Sequence, residues 1–299
     1  RLWGIYLLLT ILETGLLMFG GMDFYDSLCH TFGTVATGGF STQNMSIAGY
    51  SPYVQYVIIV FMILAGTNFT LHYLSLSGRF VKVWKNEEFR YYLKLLFAFS
   101  VLISILLIIY TNLDTENAIR EALFQVVSIT TTTGYVTTNY LAWPSFIWIL
   151  LFLLMFTGGS AGSTGGGLKA VRQLMVLKSS AVELRRLVHP RAFIPVRLNE
   201  KAVPRDIVSN ILAFFVLYIL IFGFGTIVMV VIGQDMNTAI GSVIATLGNI
   251  GPAIGDVGPV DNYAAVPVSG KWFLSFLMLL GRLELFTVLI LFSPKFWSE

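Results

Sequence analysis

Charged, cysteine and histidine residues are scarce in this sequence of 299 residues. Only 12% of the residues are charged, and there are one cysteine and three histidines. The single cysteine, Cys29, excludes an internal disulfide bond and gives no information about the redox compartment. By contrast, 56% of the residues are hydrophobic and the mean hydropathy is +0.78. This composition excludes a soluble globular domain and indicates a membrane protein.

Six apolar stretches are long enough to cross a bilayer, which requires about 20 apolar residues. They lie at roughly 2–20, 52–76, 91–111, 145–177, 206–232 and 271–293. The sequence therefore predicts an all-α, multi-pass protein of the cell membrane. The first apolar run follows Arg1 directly and has no small-residue cleavage site after it. We therefore expect a fragment or a processed chain, and no signal peptide.

Positive charges are concentrated in two segments, 79–94 with five Lys or Arg residues and 169–205 with nine. The positive-inside rule places both segments in the cytoplasm. The opposite face is predicted to be acidic, with Asp23, Asp26, Asp114, Glu116, Glu121, Asp235, Asp256 and Asp261 against Arg120 and Lys271. Any one of these acids could equally be a solvated loop residue or a helix cap. As a set they favour a cation path, because a negative vestibule concentrates cations.

Three short segments share a pattern of polar residues that ends in glycine. The threonine run 128–138 contains Thr-Thr-Gly-Tyr, which resembles the Thr-Val-Gly-Tyr-Gly loop whose carbonyl oxygens replace the hydration shell of an ion in potassium channels. Thr-Gly-Gly-Phe upstream and Asn-Ile-Gly-Pro downstream align with it on Gly39, Gly134 and Gly251. The predicted ion filter is Thr37, Gly38, Gly39, Phe40, Thr132, Thr133, Gly134, Tyr135, Asn249, Ile250, Gly251 and Pro252. Its K⁺ ligands would be the backbone carbonyls of Thr37, Gly38, Thr132, Thr133, Asn249 and Ile250.

Each filter segment is preceded by a predicted short half-helix. Acidic residues stand 16 to 18 positions before the glycine, at Asp23, Glu116 and Asp235, where they would complement the positive end of a helix dipole. The negative ends would point toward the ion. The repeat predicts pore units at 1–78, 88–180 and 204–299, joined by a cytoplasmic linker at 79–87 and a basic cytoplasmic linker at 181–203. Because a carbonyl filter usually has four contributors, we expect a further unit before Arg1.

The fourth apolar stretch is too long for one crossing. Residues 145–177 would span about 48 Å as a helix, against a hydrocarbon core of about 30 Å. Six glycines in the ten positions 158–167 predict a break. Irregular backbone at membrane depth must line protein or a watery cavity. We therefore predict a gate below the filter, formed by Thr157, Gly158, Gly159, Ser160, Ala161, Gly162, Ser163, Thr164, Gly165, Gly166, Gly167 and Lys169, together with Arg282.

Other interpretations of this glycine-rich stretch remain open. Gly158 to Gly162 fits Gly-x-Ser-x-Gly, so a serine hydrolase with Ser160 as nucleophile is possible if a histidine lies nearby. Residues 165–170 fit Gly-x-Gly-x-x-Ala, but no predicted strand precedes them, so dinucleotide binding is disfavoured. A passive hinge between two helix halves is the simplest alternative.

Two ionisable residues, Arg282 and Glu284, lie inside the last apolar stretch. Burial of such groups in a membrane is costly, so they are candidates for function. Arg282 would either anchor the glycine-rich loop through its carbonyls or repel ions in the path. A structural ion pair between units is the alternative. For Glu13 in the first stretch, a hydrogen bond between packed helices is the preferred interpretation.

At the level of motifs, the chain resembles the Trk/Ktr/HKT superfamily of potassium and sodium uptake channels, and within it the Trk-type membrane subunits. The resemblance covers essentially the whole chain. It rests on Thr-Gly-Gly-Phe-Ser-Thr at 37–42, Thr-Thr-Thr-Gly-Tyr at 131–135, the glycine-rich stretch 158–169, Gly-Asn-Ile-Gly-Pro at 248–252 and Gly-Arg-Leu-Glu-Leu-Phe-Thr at 281–287.

The resemblance implies four pore units in one polypeptide, one filter glycine per unit and a gate loop in the third unit. It implies that Gly39, Gly134 and Gly251 are filter glycines and that Arg282 faces the gate at 157–169. It also implies a homodimer with two pores and a cytoplasmic ring of nucleotide-binding regulatory subunits. The family's first unit, which helps to set the preference between Na⁺ and K⁺, has no counterpart in these 299 residues.

The resulting prediction is a potassium channel subunit that lies in a lipid bilayer, performs no covalent chemistry, and needs neither a cofactor nor nucleic acid. K⁺ is the transported ion. Permeability to both Na⁺ and K⁺, or ion-coupled secondary transport through broken helices, remains the alternative.

Overall fold

The chain folds as three successive helical segments with the same order of elements: an apolar helix, a short helix, an irregular loop and a second apolar helix. The computed structural model describes residues 2–192, 194–283 and 285–297. In the first segment the helices are α1 (Leu2–Phe19), α2 (Phe24–Val35), α3 (Pro52–Ala65), α4 (Phe69–Leu76) and α5 (Phe80–Lys85). Helix α3 begins where Ser51 caps the Val54 amide and Pro52 presets the first turn, and it ends at Gly66.

The second segment contains the longest irregular stretch between apolar helices. Its elements are α6 (Glu87–Tyr110), α7 (Thr115–Thr130), a 3₁₀ turn (Tyr140–Ala142), α8 (Ser145–Leu154) and α9 (Ala170–Val188). Between α8 and α9 the backbone is irregular over residues 155–169. The predicted break in the fourth apolar stretch is therefore present, and it separates a short apolar helix from a longer helix that ends with Arg185 and Arg186.

A small β-hairpin leads into the third segment. Strands β1 (Arg197–Leu198) and β2 (Lys201–Ala202) pair antiparallel, with Arg197 opposite Ala202. The helices that follow are α10 (Arg205–Val231), α11 (Met236–Leu247), α12 (Val268–Arg282), α13 (Leu285–Leu289) and α14 (Pro294–Trp297), with 3₁₀ turns at Tyr263–Ala265 and Ile290–Phe292. Apart from this hairpin, the regular structure of the described residues is helical, so the predicted all-α class is confirmed.

Fewer helices than predicted are single, straight spans. Within the described residues, α1, α6 and α10 are long and apolar enough to cross a membrane. Residues 52–76 were expected to form one span, but α3 and α4 meet at 100°. Helix α12 and the residues from Leu285 to Phe292 likewise differ in direction by 116°. If each bent pair counts as one span, this part of the chain has up to five.

The short helices α7 and α11 are largely buried inside the molecule. Residues 124–130 of α7 are buried, and so are residues 238–247 of α11 except Ile240, which is half-buried. By contrast, α1, α6 and α10 expose large apolar side chains such as Trp3, Phe97 and Val231. A helix that is apolar on all sides suits a lipid environment. The half-helices α7 and α11 are therefore enclosed over most of their length, whereas α2 is buried on one face and exposes Phe24, Tyr25 and Phe32.

Candidate filter and gate

An aspartate caps the amino end of each half-helix. Asp23 accepts a hydrogen bond from the Asp26 amide at 3.0 Å, Asp114 from Asn117 at 3.5 Å, and Asp235 from Asn237 at 3.0 Å. In the second half-helix the cap is Asp114, and Glu116 lies in the first turn of α7, near the positive end that it was predicted to complement. Glu116 also pairs with Arg120 at 2.8 Å, one turn further along the helix. Capping oxygens satisfy amides that have no partner inside the helix.

Hydrogen bonds and a neighbouring charge also lower the pKa of these outer-face acids. The Asn117 side chain lowers the pKa of Asp114, the Arg120 side chain lowers that of Glu116, and the Thr238 side chain lowers that of Asp235. All three carboxylates are therefore ionised at neutral pH. The Glu116 charge is offset by Arg120, so the negative potential predicted for this face depends more on the capping aspartates.

The carboxyl ends of the half-helices share one unusual backbone conformation. Two residues before each aligned glycine, φ is positive at Thr37 (51°), Thr132 (59°) and Asn249 (56°). The glycines follow with φ of 65° at Gly39, 85° at Gly134 and 110° at Gly251. In each copy, a backbone amide donates a hydrogen bond to the carbonyl five residues earlier. In the first copy, the Gly38 amide donates to the Gly33 carbonyl at 2.7 Å. This is a Schellman closure, but with threonine or asparagine where glycine is usual.

The three loops contact one another in sequence order. A Cβ atom at Gly39 would lie 1.9 Å from the Thr133 carbonyl oxygen, and one at Gly134 would lie 2.0 Å from the Ile250 carbonyl oxygen. A Cβ at Gly251 would meet no atom within 4 Å. On that side a cleft of about 500 Å³ separates the third loop from Thr37, Gly38 and the exposed Phe40 of the first loop. The sequence-predicted filter residues are therefore brought together, with one open side.

The loops contain both unbonded and hydrogen-bonded carbonyls, and the carbonyls predicted to bind K⁺ are among the unbonded ones. Within the described residues, no hydrogen bond is made to the carbonyl oxygens of Thr37, Gly38, Thr132, Thr133, Asn249 or Ile250. The Gly39 and Gly134 carbonyls also accept no hydrogen bond from the described residues. Other carbonyls of the loops are bonded: Phe40 accepts from Tyr135 at 3.1 Å, Tyr135 from Ser128 at 2.6 Å, and Gly251 from Tyr263 at 2.9 Å. An unbonded carbonyl can coordinate a cation, whereas a bonded one holds the loop in place.

Tyrosine side chains link the loops of different segments. The Tyr135 hydroxyl donates to the first segment, reaching the His30 carbonyl at 2.9 Å. The Tyr140 hydroxyl donates to the third segment, at 2.6 Å from the Ala253 carbonyl. Sequence reasoning missed Tyr140 and Tyr263, which lie outside the repeated pattern. A buried tyrosine hydroxyl needs a partner, which is the signal that could have identified them.

The glycine-rich loop 157–169 lies against the carboxyl ends of all three half-helices. The Thr164 hydroxyl donates to the Val35 carbonyl at 2.9 Å, at the end of α2. A Cβ at Gly165 would lie 2.9 Å from the Thr131 carbonyl oxygen after α7, and one at Gly166 would lie 2.8 Å from the Gly248 carbonyl oxygen after α11. The Gly166 amide also donates to the Thr132 hydroxyl at 2.6 Å. The loop thus occupies the place where the three helix dipoles present their negative ends.

Helices from every segment hold this loop. The Ser160 amide donates to the Gly66 carbonyl at 2.9 Å, and the Phe69 amide donates to the Gly162 carbonyl at 3.1 Å, both at the bend between α3 and α4. Arg282 donates to the Thr164 carbonyl at 2.8 Å, which is the anchoring arrangement considered for it. Glu284 lies outside the described residues. The contacts at Gly66 were not anticipated.

The loop also folds back on itself. Lys169 donates to the Gly165 carbonyl, the Ala170 amide donates to the Gly159 carbonyl at 3.0 Å, and the Ser163 hydroxyl donates to the Ser160 carbonyl at 2.7 Å. The Thr157 hydroxyl donates a hydrogen bond to the Leu154 carbonyl at 2.6 Å. Gly158 and Gly167 pack closely, because a Cβ at either would lie within 2.6 Å of a loop carbonyl oxygen. These close approaches explain why the segment is rich in glycine.

The histidines do not support a hydrolase. The Ser160 hydroxyl is fully buried and has no hydrogen-bond partner in the described residues. His30 lies 2.8 Å from the Ser41 hydroxyl, and His72 lies 2.8 Å from the Leu64 carbonyl. The residues preceding Gly165 are helical or irregular, without the strand that a dinucleotide-binding turn requires.

Comparison with known proteins identifies the family. The profile of the TrkH family, described as a cation transport protein, matches residues 5–299. The chain belongs to the TrkH family. It is 42% identical to the Trk system potassium uptake protein TrkH of Escherichia coli K12, over all of this chain and 62% of that protein. It is 33% identical to the Trk system potassium uptake protein TrkG of the same strain, over all of this chain and 61% of that protein.

A solved structure extends the similarity to three dimensions. The potassium transporter TrkH from Vibrio parahaemolyticus matches with a TM-score of 0.95 and 39% identity, over 99% of this chain and 64% of that one. The chain thus spans about three fifths of the length of the TrkH relatives it matches. Family membership and the apolar helices confirm the predicted multi-pass protein of the cell membrane, in a family of transport proteins and not of enzymes.

Proposed function

We propose that this chain forms most of a potassium uptake channel. The relatives named above are potassium uptake proteins, and the three loops here present carbonyls that accept no hydrogen bond from the described residues. In this proposal, the units 1–78, 88–180 and 204–299 each contribute one filter loop, and the linkers 79–87 and 181–203 face the cytoplasm. K⁺ moves down its electrochemical gradient, and no step makes or breaks a covalent bond.

The gate is proposed to be the loop 157–169, and its position below the filter is the observation that carries the proposal. Thr164, Gly165 and Gly166 lie against the last carbonyls of α2, α7 and α11. An ion leaving the filter along the direction of the half-helices would meet this loop first. Arg282, bonded to Thr164, would help to keep the path closed.

Two partners are proposed from the family resemblance. A second copy of the chain would form a homodimer with two separate pores, and a cytoplasmic ring of nucleotide-binding subunits would dock on the basic face. The nine positive residues in 169–205 support an electrostatic contribution to this docking.

The test is isotope flux of K⁺ and Na⁺ in liposomes that hold the full-length protein. Deleting part of 158–167 is expected to raise K⁺ flux, because the loop no longer blocks the end of the filter. Gly166→Ala is expected to raise flux as well, since its Cβ would lie 2.8 Å from the Gly248 carbonyl oxygen. Gly223→Ala is the matched control, because a Cβ there meets no atom within 4 Å. Unchanged flux in the folded deletion variant would reject the gate.

An ion-coupled secondary transporter is the second candidate, and the bends in the second helices favour it. Transporters place interrupted helices at mid-membrane around their binding sites. In the first and third segments here, the second apolar helix is bent, by 100° and 116°. Saturating K⁺ flux with a fixed stoichiometry to a second ion would support this candidate over a channel.

A further inference from the structure

A buried carboxylate outside the predicted filter and gate bonds directly to the loop 157–169. Glu88, in the first turn of α6, is only 7% exposed. Its Oε1 accepts a hydrogen bond from the Ala161 amide at 2.6 Å. Hydrogen bonds to an ionised acceptor are about twice as strong as those between neutral groups. Glu88 therefore holds the loop near its middle, at Ala161, whereas Arg282 holds it further along, at Thr164.

The position of Glu88 in its helix favours the negative charge. The first turn of a helix carries partial positive charge from unpaired amides. Asn86 caps this turn through the Phe89 amide at 2.9 Å. The carboxylate is thus fixed by the helix end that carries it, and a movement of that end would move the carboxylate.

The neighbouring residue, Glu87, is bonded to a different part of the chain. Its amide donates to the Asn199 side-chain oxygen at 2.8 Å. Its carboxylate forms an ion pair with Lys178 of α9, and Lys178 also donates to the Arg197 carbonyl at 2.9 Å. Asn199 and Arg197 belong to the hairpin 197–202. Adjacent residues of α6 therefore join this hairpin on one side and the gate loop on the other.

The hairpin has the geometry of a tight two-residue turn. Asn199 and Glu200 have φ of 49° and 68°, which a type I′ turn requires and which asparagine tolerates well. This turn aims the Asn199 side chain at one of the α6 amides that have no partner inside the helix. Arg197, Asn199, Glu200, Lys201 and Ala202 are exposed. The hairpin, which belongs to the basic linker 181–203, is therefore exposed on its outer side while its Asn199 caps the helix end that carries Glu88.

We propose that Glu88 is a positioning residue of the gate loop and that the hairpin 197–202 controls it through the amino end of α6. This inference rests on the proposed gate function. When the hairpin is displaced, Asn199 leaves the Glu87 amide, the first turn of α6 loosens, and the bond from Glu88 to Ala161 weakens. The loop then leaves the ends of the half-helices.

The test measures K⁺ flux in liposomes that hold full-length protein with single substitutions. Glu88→Ala removes the acceptor and is expected to raise flux about tenfold, the effect of losing one hydrogen bond to a charged group. Glu88→Gln keeps an acceptor oxygen without the charge and should give an intermediate flux. Asn199→Gly keeps the positive φ but removes the cap, and should raise flux. Asn199→Asp keeps both the positive φ and the capping oxygen, so its K⁺ flux should equal that of the parent protein.

A double substitution separates coupling from independent damage. If the hairpin acts through Glu88, Asn199→Gly adds no flux in the Glu88→Ala background, whereas independent effects multiply. Multiplied effects would overturn the coupling. Thermal unfolding of each variant identifies those that are simply unfolded, and if Glu88→Ala is among them, equal flux in Asn199→Gly and Asn199→Asp overturns the proposal by itself.

The outcomes also distinguish this inference from the gate proposal. If deletion within 158–167 leaves flux unchanged, the gate proposal fails, and this inference fails with it. If that deletion raises flux but Glu88→Ala does not, the gate stands and the role of Glu88 is rejected.

Discussion

At the residue scale, the filter loops keep backbone conformations that their residues do not favour. A β-branched residue with positive φ is an outlier, yet Thr37 and Thr132 both adopt it. Strain of this kind costs about 1–3 kcal/mol and persists where the surroundings enforce it. Here the enforcing contacts are the helix closure around each threonine and the neighbouring loop beside Gly39 and Gly134. The same conformation in three loops indicates a shared requirement for where the carbonyls point.

Gly134→Ser is expected to reduce the preference for K⁺ over Na⁺. Its φ is 85°, and a Cβ would lie 2.0 Å from the Ile250 carbonyl oxygen, so both the backbone and the neighbouring loop must shift. A side chain in this conformation costs at least about 1 kcal/mol. The permeability ratio from bi-ionic flux measures the change. Gly15→Ala in α1, with no atom near its Cβ, is the control. An unchanged ratio in a folded variant would reject the filter assignment.

At the element scale, each second apolar helix is interrupted beside a glycine that packs against a neighbour. A Cβ at Gly66 would lie 2.5 Å from the Tyr92 hydroxyl, and one at Gly281 would lie 2.0 Å from the Leu247 carbonyl oxygen. At Gly158 the nearest atom is the Gly166 carbonyl oxygen at 2.5 Å. The three glycines therefore allow close packing at the interruptions, against a tyrosine side chain at Gly66, the glycine-rich loop itself at Gly158 and the end of α11 at Gly281. Of these three interruptions, the second is the longest, and it forms the loop 157–169.

Asp235→Ala is expected to lower stability by about 1 kcal/mol at neutral pH, the usual cost of losing an N-cap. Hydrogen bonding, first from the Thr238 side chain, lowers the pKa of Asp235. The cap therefore contributes fully above the unfolded pKa of about 4 and is lost as pH falls through the lower folded value.

Thermal unfolding between pH 7 and pH 3 checks this prediction. The difference in midpoint between the parent protein and Asp235→Ala should narrow in acid. Asp256→Ala is the control, because this exposed carboxylate accepts no hydrogen bond in the described residues. A difference that does not depend on pH would show that the carboxylate is not the stabilising group.

At the scale of the whole molecule, charge is divided between two faces. The basic segments include α9 and the hairpin, and the capping aspartates lie at the opposite ends of the long helices. Exposed positive side chains near the end of α9 include Arg185 and Arg191. Such a surface speeds association with an acidic partner and makes binding sensitive to salt.

If the proposed nucleotide-binding ring docks on this face, its binding is expected to weaken with salt and with loss of positive charge. Arg185→Gln combined with Arg191→Gln should reduce co-purification of the ring with the full-length protein, and the remaining binding should depend less on KCl concentration. Lys271→Gln, on the opposite face, is the control. Equal retention of the ring by both variants at all salt concentrations would argue against docking on this face.

The class, the half-helices and the loop sequences were determined by the sequence itself, because they depend on local properties. Apolar runs predict spans, glycines end helices, and an acid before a half-helix predicts a cap. The sequence pattern placed Glu116 near the positive end of α7, and the folded helix end shows in addition that Asp114 reaches the free amides while Glu116 pairs with Arg120.

Only the tertiary structure decided which distant groups meet. Glu88 and Ala161 are 73 positions apart, and Glu87 and Asn199 are 112 apart, so no spacing in the sequence relates them. The sequence predicts one continuous span over 52–76, because the interruption at Gly66 is short. The bend there accompanies a contact with a distant part of the backbone, the hydrogen bond from the Ser160 amide to the Gly66 carbonyl. Contacts of this kind arise from how packed helices place their ends, which local preference does not encode.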